Sequence, residues 1–368
     1  MRARHGQAAY CGSFIGVTGS TGKTTTTLLV ERLLLATGAS VAGGRGANHD
    51  RYLMKTMARL RRPTDFVVQE VSGHQPGAIA DITSHLVVQV AVVTTIGYDH
   101  SRAYNVPYAA APDAIAAEKG KLVEAVAPGG FACLNADDAR VAAMASRARC
   151  RVVTFGTGEA AEVRALNVSA RWPDRLQFDL VVGMEVHRVV TRFLGTIMLP
   201  NVLAALAVVH GAGRALAPAV LALASTEPEP EHMSVLEAAS GRTYVLDTFK
   251  ASLWLTWKLA DDLANISGDA LFVLGDLAEI RGKSGDEYRK LARALAGRTA
   301  RVILVGRAAE YGSRLPAEVP NLQVAANLDE AAAQIARSPH RLVILKSNRS
   351  LRLQDVVPLA ERVAYDHY

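Results

Sequence analysis

The stretch IGVTGSTGKTTTT, Ile15 to Thr27, sets two spaced glycines, a lysine and a run of hydroxyls directly behind an apolar segment. Gly19 and Gly22 let the backbone curl around an anion, and a helix starting behind them turns its first amides toward that anion. In such a loop Lys23 reaches the β- and γ-phosphates of a nucleoside triphosphate, and Thr24 offers its hydroxyl to Mg²⁺. The longer GxxxxGK[ST] spacing is not met, because Val17 stands five positions before Gly22. A glycine-rich turn with a chance lysine is the plainer alternative. The passage from a buried strand into a helix argues for nucleotide binding, with Gly19, Ser20, Thr21, Gly22, Lys23, Thr24 and Thr25 as the cradle.

Outward from the loop, apolar runs alternate with segments of helical period, which predicts an α/β protein with a mainly parallel sheet. Strands are expected in SFIGVTG, DFVVQEV, LVVQVAVVTTI, GGFACLNADD and CRVVTFGTG, and antiparallel strands between Glu162 and Arg192. The segment STEPEPEH, alternating proline with glutamate, marks a domain boundary. The expected division is therefore 1–226 and 227–368. TYVLDTF, DALFVLGD, ARVILVG, LQVAAN and RLVILKSN then give a second strand–helix alternation, read as a Rossmann-like domain.

The 368 residues carry 41 Lys and Arg against 35 Asp and Glu, a formal charge of +6, but the basic residues are scattered with only short clusters. Nucleic acid is disfavoured as a partner, and the excess reads as solvated surface plus anionic-substrate binding. Cys11, Cys133 and Cys150 have neither zinc nor CxxC spacing, so a reducing cytoplasm is expected and a structural metal is not. The N-terminal segment lacks the apolar core of a signal peptide, and no window reaches the length of a membrane span.

The TGxxGKT[ST] form with its threonine run resembles the Mur ligase superfamily, and further segments match in the same order. VQEVSGHQPGAI resembles the family's acidic segment, most closely that of the branch adding D-alanyl-D-alanine, and makes Glu70 a magnesium ligand. TTIGYDHS resembles TNIGxDHL and gives His100 the same role. AIAAEKGKLVEAV resembles the segment whose lysine many members carbamylate with CO₂; Lys119 fits its register best and Lys121 is the alternative. CLNADD resembles VxNxDD, placing Asn135, Asp137 and Asp138 near the nucleotide or a hinge. LPNVLAALA resembles the helix whose asparagine meets adenine, so Asn201 is retained while Pro200 replaces the usual histidine.

In the second half the likeness is uneven. VLDTFKASLWLTW aligns Asp247 with the acid of a DDSYNANPxS-like segment, but Phe249, Lys250, Ser252 and Leu253 depart from it. His232 stands where an arginine normally faces the γ-phosphate, replacing a bidentate, permanently charged donor by an imidazole. FVLGDLAEIRGKSGDEYRKLA and ILKSNRSLRLQDVV restore the resemblance. In the latter, Lys346, Arg349 and Arg352 are either an acceptor-side basic cluster or a solvated basic turn. The family's UDP-sugar-binding N-terminal domain has no counterpart before the first expected strand.

The resemblance implies an ATP-dependent ligase joining a carboxylate to an amine through an acyl phosphate, with release of ADP and phosphate. ATP and Mg²⁺ are the expected cofactors, with a carbamylated Lys119 as an addition. Lys23, Lys119, His100 and Asp247 carry the expected catalysis, and Thr24, Glu70, His100 and Lys119 the expected metal contacts. Asn135, Asn201, His232 and Asp247 join the loop in the expected nucleotide set. The partners implied are a small-molecule carboxylate and an amine or amino acid, with no membrane; a protein partner or homo-oligomer stays open. Two readings compete: a nucleotide-binding subunit whose ligase activity has decayed, suggested by His232 and Phe249, and a small-molecule kinase.

Overall fold

The computed structural model describes residues 7–44, 50–60, 62–280 and 283–358. Arg281 and Gly282, within the FVLGDLAEIRGKSGDEYRKLA segment, lie outside the described residues. The chain divides into two compact units.

The first unit is built on a nine-stranded sheet of order β2-β3-β1-β4-β5-β6-β7-β8-β9. Its strands are β1 (Cys11–Thr18), β2 (Val41–Gly44), β3 (Thr64–Glu70), β4 (Val88–Val93), β5 (Val126–Asn135), β6 (Arg151–Gly156), β7 (Val163–Ser169), β8 (Gln177–Val182) and β9 (Glu185–Val190). Pairing is parallel from β2 through β7 and antiparallel from β7 to β9. The alternation of polar and apolar residues after Glu162 thus forms hairpin strands, as expected for a sheet open to solvent on one side. The four-residue β2 was not legible as a strand, since VAGG has no alternation.

Alternate residues of the central strands serve opposite faces. Phe14, Val67, Val71, Ala91 and Val93 pack with Ile79 and Ile82 of helix Ala78–His85 and with Ile115 and Leu122 of helix Ala111–Glu124. Ile15, Val17, Val68, Val90 and Val92 point the other way and are buried as well. Helices Lys23–Ala36 and Leu199–Gly211 pack against one another. Both are apolar around much of their circumference, the pattern of helices enclosed by other elements. Pro200 sits in the first turn of its helix, where its missing N–H costs no intrahelical bond.

The second unit carries a six-stranded sheet of order β10-β11-β15-β12-β13-β14. These are β10 (Ser234–Glu237), β11 (Thr243–Asp247), β12 (Leu271–Leu274), β13 (Arg301–Leu304), β14 (Leu322–Val324) and β15 (Leu342–Lys346). The five strands expected from the sequence pair in parallel, and β10 adds an antiparallel edge. Helix Leu328–Arg337 is capped reciprocally: the Asn327 side chain accepts from Glu330 N at 2.9 Å, and the Glu330 carboxylate accepts from Ala326 N at 2.7 Å.

The division is finer than one cut after Thr226. Ala170–Arg175 and Phe193–Ile197 belong with the second unit. Trp172 donates its backbone N–H to Ile266 O at 2.9 Å and its indole N–H to Thr243 Oγ1 at 3.1 Å. The buried Asp262 carboxylate accepts from Ile197 N at 2.9 Å and from Asn265 at 3.0 Å.

Lys346 departs from both sequence readings of its basic segment. In-register pairing of β11 with β15 sets Asp247 beside Lys346. The Lys346 ammonium is fully buried and donates to Asp247 Oδ2 and, at 3.0 Å, to Lys250 O. It is neither an open acceptor-side cation nor a solvated one. Removing one member of a buried pair leaves the other charge uncompensated. Lys346→Met is expected to lower the unfolding free energy of this unit by about 3–5 kcal/mol in urea titrations; a change under about 0.5 kcal/mol would place the pair among surface-like contacts.

Candidate nucleotide-binding site

Strand β1 ends at Thr18, and the chain turns through Gly19, at φ 149°, and Gly22, at φ 80°, before entering helix Lys23–Ala36. At both positions a β-carbon would be strained by the backbone and would also collide with a neighbouring oxygen. At Gly19 it would lie 2.0 Å from Thr94 Oγ1, and at Gly22 it would lie 2.0 Å from Asn201 Oδ1. The glycines therefore allow the backbone to press against two side-chain oxygens as well as to turn.

The helix behind the loop has no acidic residue in its first turn and no side-chain cap. Its leading amides, at Lys23, Thr24 and Thr25, remain available to an outside anion. By contrast, helices Ala111–Glu124 and Leu328–Arg337 begin with their own carboxylates, Asp113, and Asp329 with Glu330. The Lys23 ammonium folds back over the loop, donating to Gly19 O at 2.9 Å and lying 3.6 Å from the buried Asp99 carboxylate. Backbone and carboxylate thus take up its charge.

The loop is fastened to the segment after β4. Ser20 N donates to Thr95 O at 2.8 Å, Gly97 N donates to Ser20 Oγ at 2.8 Å, and Thr94 Oγ1 donates to Thr21 O at 2.6 Å. The same segment ends in Asp99 and His100, whose imidazole Nε2 is 3.4 Å from Asp99 Oδ2. His100 adopts a left-handed backbone, φ 58°, at the start of the short 3₁₀ turn Ser101–Tyr104. Its ring meets that of His74 edge to face, with centroids 6.5 Å apart. Thr94 and Asp99 stand inside TTIGYDHS, yet sequence reasoning singled out only His100. The carboxylate one residue before it was the available signal.

Glu70 ends β3 in register with Val17, the residue before the last of β1. It is 2% exposed, and its Oε1 has no hydrogen-bond donor among the described residues. A buried carboxylate oxygen left in that state suits a hard cation, which takes oxygen ligands. The Thr24 hydroxyl likewise makes no hydrogen bond among the described residues. Glu70 and Thr24 offer the oxygen donors that Mg²⁺ takes, whereas His100 offers a nitrogen.

The two candidate lysines separate clearly. Lys119 is 1% exposed, and its Cγ lies 3.4 Å from where a β-carbon on Gly73 would be, three residues beyond Glu70. Lys121 is 39% exposed and donates to Glu118 at 2.6 Å. Burial pushes the Glu118 carboxyl up, but the Lys121 bond and amide donation from Ile79 and Gly77 outweigh it and hold the group below its usual value. Tyr104 closes this region by donating its hydroxyl to Gly73 O at 2.6 Å; burial, then the Glu118 and Asp99 charges, push its phenol upward.

The remaining sequence candidates take supporting positions. Asn135 is buried and gives its amide to Thr94 O at 2.8 Å, while its oxygen accepts from Asp137 N. Asp138 accepts from Thr95 Oγ1 and Ile96 N, both at 2.7 Å, and caps helix Ala139–Ala142. Asp137 is tied to Thr157 and Gly158 in the turn after β6. Asn201 reaches the loop through its oxygen, which also accepts from Thr26 Oγ1 at 3.3 Å. In the second unit, His232 donates from Nδ1 to Pro230 O and stacks on Phe249 at 4.7 Å, and Arg349 lies over the same ring at 5.6 Å. Arg352 pairs with Asp355 on the surface.

Residues 17–209 match the Mur ligase middle domain. Among curated proteins, the UDP-N-acetylmuramoyl-tripeptide–D-alanyl-D-alanine ligase of Mycobacterium leprae is 28% identical over 321 residues, 80% of this chain and 61% of that protein. Its counterpart in Mycobacterium bovis is 28% identical over 362 residues, 94% of this chain and 69% of its own length. The chain thus spans roughly two thirds of these relatives (61% and 69%). The solved MurF of Acinetobacter baumannii superposes with TM-score 0.82 at 23% identity, covering 96% of this chain and 77% of that one. MurF of Thermotoga maritima, solved in complex with ADP, gives TM-score 0.80 at 20% identity, covering 98% and 82%. With its phosphate loop, acidic strand end and DH segment all inside the matched region, this chain belongs to the Mur ligase middle-domain family.

Proposed function

We propose that the protein is an ATP-dependent amide ligase that activates a carboxylate as an acyl phosphate. The phosphate loop with its open helix N-terminus and Lys23 is the observation that carries this reading. The relatives compared are named as ligases, which gives no support to a decayed binding partner.

A carboxylate is a poor electrophile, so the first step moves the γ-phosphoryl group of ATP onto a carboxylate oxygen, with ADP leaving. The amine nitrogen then attacks the acyl carbon, the C–O bond to phosphate breaks, and the nitrogen loses a proton. Phosphoryl transfer asks mainly for positioning and charge neutralisation. The leading amides of helix Lys23–Ala36 and the Lys23 ammonium supply both, with Lys23 leaving Gly19 O for phosphate oxygens. Thr24, Glu70 and His100 would hold Mg²⁺, which would supply neutralisation of part of the phosphate charge. Lys119, carbamylated by CO₂, would add an anion to that set. Asp247 and His232 are the nucleotide-facing candidates of the second unit. A cytoplasmic setting accords with three free cysteines, and no described helix is long and apolar enough to cross a membrane.

Purified protein given ATP, Mg²⁺ and mixtures of carboxylates and amines should release ADP and phosphate with an amide product. AMP and pyrophosphate would instead indicate adenylation and end the acyl-phosphate reading. Lys23→Ala should lower turnover at least about 100-fold, the scale of losing one preorganised charge donor, while circular dichroism stays unchanged. Undiminished turnover would remove the loop from the mechanism. Carbon-13 NMR with labelled bicarbonate tests the lysine: a carbamate resonance should appear in wild type and in Lys121→Arg, and vanish in Lys119→Arg. A signal that follows Lys121, or none in wild type, refutes the modification of Lys119.

A further inference from the structure

We propose that Thr94 is a positioning residue for the phosphate loop, acting through its hydroxyl on the loop's shape. This rests on the nucleotide reading above. Thr94 follows β4 directly and is 1% exposed, so its hydroxyl has no bulk solvent to bond with. Its Oγ1 donates to Thr21 O at 2.6 Å and occupies the space a side chain on Gly19 would need. One oxygen therefore holds the carbonyl in the middle of the loop and sets how closely the Gly19 backbone approaches β4.

The Thr94 backbone is itself held on two sides. Its N–H donates to Thr18 O at 3.1 Å, tying it to the end of β1, and its carbonyl accepts from Asn135 Nδ2 at 2.8 Å. Beyond it, Thr95 O receives the Ser20 N–H. Asn135 reaches the loop by this route, from β5 through Thr94 to Thr21. A carbonyl turned outward by its own backbone would present negative potential to an incoming phosphate. Holding Thr21 O against Thr94 leaves the loop's N–H groups as the polar surface on offer, the arrangement an anion needs. Thr94 touches no phosphate in this scheme; it fixes the groups that do.

The experiment measures ADP and adenosine binding, each with Mg²⁺, by calorimetry on the full chain. Thr94→Val keeps the shape and removes the hydroxyl, and Thr94→Ser restores it. ADP affinity should fall about tenfold in Thr94→Val, the scale of one lost hydrogen bond at a preorganised site, and return to within about twofold in Thr94→Ser. Adenosine, which lacks phosphate, should bind all three proteins alike. Equal ADP affinity in wild type and Thr94→Val overturns the proposal while leaving the nucleotide reading intact. So does a parallel loss of adenosine and ADP affinity, which marks a general structural defect. If Thr94→Val fails to fold, Thr94→Ala takes its place with the same expected result. A wild type that binds no ADP brings down the nucleotide reading and this inference together.

Discussion

Everything proposed for this chain depends on how closely the backbone at Gly19 and Gly22 approaches its neighbours. Side-chain oxygens of Thr94 and Asn201 fill the places where β-carbons would stand. Any other residue at either position would meet both an unfavourable φ and a contact far inside van der Waals distance. The oxygens come from elements distant in sequence, the end of β4 and helix Leu199–Gly211. Loop shape is therefore a property of the packed unit, and it becomes available to phosphate only when the parallel sheet and its covering helices are in place.

This dependence explains what could be read from the sequence. The strands of the first sheet announce themselves through apolar runs such as FVVQEV and VQVAVV, and the parallel arrangement follows from intervening helices. The cradle was legible because glycine, lysine and threonine are adjacent along the chain. The restraint by Thr94 was not, because it looks like an ordinary strand-end polar residue until the register of β1 and β4 brings it beside Thr21. β2 and β10 were missed for a related reason. VAGG and SVLE lack the unbroken apolar run that marks the equally short LFVL and RVIL of β12 and β13, and the partner strand is what makes them strands.

Lys119 and Lys121 show where structure decides between residues that pattern alone leaves close. Two positions on a helix are separated by about 200°, so one points to the sheet when the other points to solvent. The cost of burying an ammonium makes the inward lysine the chemically notable one. Glu118, on the same helix, spends its carboxylate on the amides that open helix Ala78–His85 and on Lys121. The exposed lysine is thereby accounted for as an ordinary ion pair with Glu118.

Among the departures from the family pattern in the second unit, Ser252 and Leu253 are buried, whereas Phe249 is 39% exposed. Asp247 keeps its place at the end of β11 and its buried partner Lys346 comes from β15, so the centre of the parallel sheet is intact. The altered residues His232 and Phe249 touch each other, and Arg349 lies over the Phe249 ring. An arginine at 232 would present a planar fork to an anion; the histidine presents only Nε2, because Nδ1 is engaged by Pro230 O. Phe249, 39% exposed, gives that imidazole a face to stack on.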